Sequence, residues 1–429
     1  MRNFKPGILL CLLGLILLCP LRAAEKPGLT LEQLVKMAVA NQPQLAGAQA
    51  QIDQNRGSSI QAYSSYYPQL NMQGGYNKNT QQNFTSSTNS INLNSQQWNS
   101  SVSLQQFLTD FGKTRAKVKA ADAALSQAQL SYRQTYEVVV LGVYQAYYQV
   151  LQNKAQLDVQ QKNLDSLKLH LEQAQHFYKA GTKPKIDVTQ AQVNLLNGEY
   201  QLEQARNSLA QSRAQLVVAV GKQDPVNDYE VAGALEYLEY SIPLAEAMNK
   251  AFLVRPDLQA AQAQLAGAQA NLTAKQKNMN PALNGSASYG FQDVQFPQRN
   301  NFFNYGLSLS LPVFDGFQTK GQVIQAQGQV KQVQSQVDTL QLNIFQQVKQ
   351  SWLNLETSRK NYRVALESVK LAQENQDLAQ QRYQAGVGSY LEFFDAQYNY
   401  LQAESNLITA LGNYNSALAS LKQAMGILE

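Results

Sequence analysis

Residues 303–313 read Phe-Asn-Tyr-Gly-Leu-Ser-Leu-Ser-Leu-Pro-Val. Apolar Phe303, Tyr305, Leu307, Leu309, Leu311 and Val313 alternate with Asn304, Gly306, Ser308, Ser310 and Pro312. A period of two makes one face apolar and the other small and polar, the pattern of a β-strand with one side out of water. Phe and Tyr at the start of the apolar set suit a strand with lipid on one side and water on the other. The same alternation also fits a strand of a soluble sandwich. Against that reading stand the lack of any other β-rich region and the N-terminal segment described below.

Working outward, Leu283, Ala287, Tyr289 and Phe291 repeat the pattern more weakly just before this stretch. In the first half, Leu70, Met72 and Tyr76 match a later run holding Val102 and Leu104. Each half therefore offers two strands joined by a polar loop, at about 69–108 and 282–314, four strands in all. Membrane barrels start at about eight strands. An open sheet edge is not tolerated in lipid, because its N–H and C=O groups find no partner there. If these strands span a membrane, several chains must share one barrel.

The two halves are copies. Pro43-Gln44-Leu45 recurs as Pro256-Asp257-Leu258, and Pro68-Gln69-Leu70-Asn71 as Pro281-Ala282-Leu283-Asn284, both 213 positions on. Beyond that the offset is 205: Asp110 answers Asp315, Tyr178-Lys179-Ala180-Gly181 answers Tyr383-Gln384-Ala385-Gly386, and Ala191-Gln192 answers Ala396-Gln397. The change of offset is an eight-residue deletion between 284 and 315. So long a period is a duplicated domain, not a solenoid repeat. Each copy runs in the same order: a helical segment (about 30–64 and 243–277), a polar alternating stretch, a very long helix ending at Ala-Gly, and a returning helix. The expected layout is a leader at 1–24, a first repeat at 25–220, a linker at 221–242 and a second repeat at 243–429.

The long helices carry a seven-residue rhythm. Val150, Leu157, Leu164, Leu171 and Tyr178 are followed, past Gly181, by Leu195, Leu202, Leu209 and Leu216. Leu355, Tyr362, Val369 and Tyr383, then Tyr400, Leu407, Tyr414, Leu421 and Leu428, repeat it, with Gln376 interrupting. Such heptads predict coiled-coil packing. The proline-free runs 113–178 and 318–385 would each span roughly 100 Å as helices.

Composition excludes several classes. Only 15% of the 429 residues are charged, against about 25% in a typical domain. Gln, Asn, Ser and Ala replace charge on many faces, which lets helices approach closely. Arg2, Lys5 and Arg22 contribute three units of the net +5, so the rest of the chain is close to neutral. That leaves no electrostatic case for nucleic acid. Arg2 and Lys5 precede the apolar run Ile8 to Leu18, then Pro20 and Ala23-Ala24, the layout of a secretory leader. Leu21 or Arg22 would sit three residues before the cut, an imperfect cleavage site. Both cysteines, Cys11 and Cys19, lie in this segment, and Leu10 and Leu18 precede them where a lipid anchor takes a small residue. The expected mature chain has no cysteine and no apolar run of about 18 residues, hence no disulfide and no transmembrane helix.

These features together resemble the outer membrane efflux protein family, the TolC-like channel-tunnels. The residues that carry the resemblance are the Pro43 and Pro256 segments and Ser308-Leu309-Ser310-Leu311-Pro312-Val313-Phe314-Asp315-Gly316. The strongest is Arg382-Tyr383-Gln384-Ala385-Gly386, followed by Ser389, Glu392 and Asp395-Ala396-Gln397. The resemblance implies a mainly α fold with four β-strands per chain. Three chains would join as a homotrimer, forming a twelve-stranded outer-membrane barrel continued by a periplasmic α-barrel. It implies an exit duct without cofactor or enzymatic chemistry. Such a duct serves tripartite efflux or type I secretion with a periplasmic adaptor and an inner-membrane pump or ABC transporter. The cargo is not implied.

The resemblance also points to residues. Turn glycines Gly181 and Gly386 mark the helix tips, and Asp187, Glu392 and Asp395 just beyond them match acids that ring the family's closed aperture. Acids in a first helical turn also simply complement the helix dipole. Tyr383 matches a tyrosine that links helices at the tip. Gly388 stands where the family can carry a basic partner, so Lys183 and Lys185 are the substitutes to examine. Phe303, Tyr305, Leu307, Leu309 and Leu311 would face lipid. His170 and His176 lie six apart on a helix and share no face, so no metal site is expected. A periplasmic coiled-coil scaffold without a pore is the alternative from another class.

Overall fold

The computed structural model describes residues 28–85, 89–222 and 229–428. The leader at 1–24, with both cysteines, and part of the expected linker lie outside the described residues. The order is α1 (Leu31–Asn41), α2 (Pro43–Tyr63), β1 (Gln69–Thr85), β2 (Asn89–Thr109), α3 (Lys113–Lys179) and α4 (Lys185–Val220). The second half repeats it: α5 (Leu244–Val254), α6 (Pro256–Gln276), β3 (Ala282–Asp293), β4 (Asn301–Ser310), α7 (Gln318–Gln384) and α8 (Tyr390–Ala424). Each expected N-terminal helical segment is two helices, because Pro43 and Pro256 cannot continue the helix before them and instead start the next one.

The strands form one antiparallel sheet in the order β1-β2-β3-β4. Register keeps the two faces apart. Leu70 pairs with Leu104 and Met72 with Val102. Leu104 pairs with Ala287, and Ala287 pairs with Tyr305. On the other face Gln69 pairs with Gln105, Gln105 with Ser286 and Ser286 with Gly306. The apolar face is bare within the chain: Met72 is 82% exposed and Tyr305 80%. β1 and β4 are free edges of this sheet. β4 ends at Ser310, so Leu311 and Val313 follow the strand rather than belong to it. Pro312 has no N–H to give a ladder there.

Each sheet-to-helix corner uses two consecutive left-handed residues. These are Phe111 and Gly112 at φ 56° and 97°, then Gly316 and Phe317 at φ 63° and 68°, so the two copies swap the order of Phe and Gly. An aspartate holds each corner. Asp110 accepts from Gly112 N, Thr114 N and Thr114 Oγ1, and Asp315 accepts from Thr319 N. The Thr319 hydroxyl, and then its amide, hold the Asp315 carboxyl below its usual range.

α3 and α7 have 67 residues each, roughly 100 Å of helix. α3 packs against α2 and α6 towards the strands and against α4 and α8 towards the tips. Two buried clusters lie at mid-length. One joins Leu34, Val143, Val150, Leu209 and Leu216 of the first repeat, and the other Met248, Ile344, Val348, Leu355, Tyr414 and Leu421 of the second. Several expected heptad positions are in these clusters, whereas Tyr178 is 46% exposed within the chain.

The linker between repeats runs in extended form across this waist and is pinned from three helices. Tyr147 donates to Ala232 O, Tyr414 donates to Leu238 O and accepts from Tyr240 N, and Trp352 donates to Ile242 O. Among the described residues, no helix is long and apolar enough to cross a membrane.

Candidate functional site: the helix tips

Both tips close by one device. At the end of α3, Gly181 (φ 71°) donates to Tyr178 O and Thr182 N donates to Phe177 O. At the end of α7, Gly386 (φ 78°) donates to Tyr383 O and Val387 N donates to Arg382 O. Glycine takes this left-handed position without steric cost and satisfies the last helix carbonyls. Ser389 then caps α8, its Oγ accepting from Glu392 N at 3.0 Å.

The tips are joined by aromatic packing. Tyr383 is 5% exposed. Its ring stacks on Phe393 at 5.6 Å and meets Phe177 and Tyr390 edge-on at 6.2 and 6.0 Å. Lys183 Nζ lies 5.4 Å above the same ring, a cation–π contact from the other tip. Burial, and then the Asp187 carboxylate, push the Tyr383 phenol up.

The acids are not alike. Asp187 is half-buried in the first turn of α4, while Glu392 and Asp395 are exposed. Glu392 Oε1 pairs with Arg382 Nε at 3.0 Å within the chain. Arg382, quoted above only as part of a motif, is thus the basic partner of the tip. Gly388 has no room for a side chain: a Cβ there would lie 3.1 Å from the Arg382 and Tyr383 backbone.

Sequence reading missed the layer behind the aromatics. His170 is buried, edge-on to Phe393 at 4.7 Å. Its ring nitrogens lie 2.9 Å from Ser166 Oγ and 3.4 Å from Gln173 Oε1. Gln397 of α8 donates to the same Ser166 Oγ at 2.9 Å, tying α8 to α3. Burial holds His170 below its usual range. His176 is on the surface, 3.8 Å from Glu172. Among the described residues no group of three potential metal ligands forms. The signal for this layer was the i, i+4 spacing of Ser166 and His170, which looks like any polar helix face.

The chain is a duplicated set of α-hairpins on a four-stranded sheet with two unlike faces, and both tips are built alike. The sequence profile of the outer membrane efflux protein family matches residues 34–222 and 247–427. The chain belongs to that family. Curated relatives include the pyoverdine export outer membrane protein OpmQ of Pseudomonas aeruginosa, 27% identical over 66% of this chain and 61% of that one. They also include the outer membrane protein TolC of Escherichia coli, 27% identical over 69% and 62%. The chain thus spans less than two thirds of the length of either relative. In fold, the chain is similar to the CmeC outer membrane channel of Campylobacter jejuni, with a TM-score of 0.81, 17% identity and coverage of 92% of this chain and 85% of that one. VceC of Vibrio cholerae gives a TM-score of 0.78 at 20% identity, covering 92% and 96%. By this membership the protein is an outer membrane efflux protein, and its fold is that of solved outer membrane channels.

Proposed function

We propose that three copies of this efflux protein assemble into one exit duct. Their four-stranded sheets would close a twelve-stranded barrel, and their helices would continue it through the periplasm. The observation that carries this reading is the sheet itself. It has a bare apolar face, a polar opposite face and two unpaired edges. Lipid tolerates such a sheet only when neighbouring chains pair its edges. The tips at Gly181 and Gly386 form the periplasmic entrance, where an adaptor docks and an inner-membrane pump or ABC transporter supplies the energy. Asp187, Glu392 and Asp395 line that entrance. Cargo is small molecules or protein handed on by the pump.

Reconstitution into a planar bilayer tests the duct. The reading expects ion conductance from purified protein, rising when the tips are loosened. Protein that inserts and never conducts, with or without loosened tips, overturns it.

A further inference from the structure

The polar face of the sheet continues onto the first turns of α3. A cavity of about 720 Å³ lies there, bounded by Gln105, Asn284, Ser286 and Ser308 from the strands and by Lys113 and Lys117 from α3. These four strand residues belong to the polar face, so the two lysines border the side that faces water in the proposed duct. Among the described residues lining the cavity, Asp110 is the one acid. It is 7% exposed and engaged by Gly112 N, Thr114 N and Thr114 Oγ1.

The second repeat builds the same corner without charge at these two places. At the offset of 205 that relates Asp110 to Asp315, Lys113 and Lys117 are answered by Gln318 and Gln322. Gln322 there accepts from Asn278 at 2.7 Å. The corner folds with neutral amides at both places, so its geometry does not need the lysines.

We infer that Lys113 and Lys117 are an anion-attracting site inside the duct, favouring small molecules that carry carboxylate or phosphate groups. The inference rests on the trimeric duct proposed above, in which three chains bring six ammonium groups to one level. A ring of one sign in a water-filled passage concentrates ions of the other sign. A lysine ammonium is a mobile point charge, suited to passing an anion along rather than clamping it. The ring lies at the strand end of the helices, with the carboxylates at their far tips, so the duct changes sign along its length.

The test uses purified protein in planar bilayers under a potassium chloride gradient, with citrate as the multivalent anion. Salt is kept low, because screening acts within about 10 Å at 0.1 M. Citrate should block the unaltered protein, and K113Q/K117Q should weaken the block about fivefold, the size of one charge contact in water. The reversal potential of that variant should move towards the potassium potential. K113R/K117R, which keeps the charge, should behave as the unaltered protein. Equal citrate block and equal reversal potential in K113Q/K117Q would overturn the inference. A protein that does not conduct counts against the duct. Calorimetric citrate binding then reads the lysines directly, about fivefold weaker in K113Q/K117Q if the inference holds and unchanged if it does not.

Discussion

Arg255 is 6% exposed and occupies the break between α5 and α6. Its guanidinium donates to Asp257 through Nε and Nη2, to Gln347 Oε1, and to Ala424 O at the end of α8. The first repeat does the same work with an uncharged side chain: Gln42 donates to Val218 O and Ala219 O at the end of α4. Removing one partner of a buried ion pair strands the other charge, so Arg255→Ala should cost about 3–5 kcal/mol. Arg255→Gln, copying Gln42, should cost less, and thermal unfolding in detergent compares the two. Half-buried Glu137 faces the same pair, and burial pushes its carboxyl from 4.5 up to about 7, with Arg255 pulling it back. The folded chain therefore holds a proton that the unfolded chain has released. The stability carried by that proton is full below pH 4.5 and lost as pH rises through about 7. Glu137→Gln should leave stability at pH 4.5 nearly unchanged and raise it at pH 8 by about 1–2 kcal/mol, the shift having been discounted for partial exposure. Melting curves at the two pH values check this.

Among the elements, the tips and the linker carry the clearest tests. Tyr414 is fully buried and its hydroxyl both donates to Leu238 O and accepts from Tyr240 N. Tyr414→Phe removes two part-buried hydrogen bonds to the linker backbone and should cost about 1–3 kcal/mol in unfolding experiments. At the tips, Arg382→Ala frees Glu392 from its ion pair, so it should strengthen block by divalent cations from the periplasmic side. Glu392→Ala with Asp395→Ala should weaken that block. Single-channel recordings with added calcium read both. The long helices were legible to within a residue, because proline-free runs and heptads act locally along the chain. The alternation of β4 was equally plain, except at Leu311, where Pro312 ends the ladder. In the first half it showed only at Leu70, Met72, Tyr76, Val102 and Leu104, while the ladder runs on to Thr85 and starts again at Asn89 through mainly polar residues. The tip acids and Tyr383 came only through resemblance. The contact of Lys183 with Tyr383 and the bond from Gln397 to Ser166 join helices far apart in sequence, which spacing along one helix cannot encode, whereas the Arg382–Glu392 pair spans a single tight turn.

At the scale of the whole molecule, the two free sheet edges and the bare apolar face leave the single chain incomplete. The turn between β3 and β4 should face the outside. A cysteine at exposed Asn300 should therefore react with an impermeant thiol reagent on intact cells, and reaction only after the outer membrane is broken would reverse the topology. The central claim is that one chain supplies a third of a closed wall. Light scattering of the purified protein in detergent, corrected for bound detergent, measures this most directly. A mass of three chains is the predicted result, and a stable monomer that conducts ions across a bilayer would contradict the account.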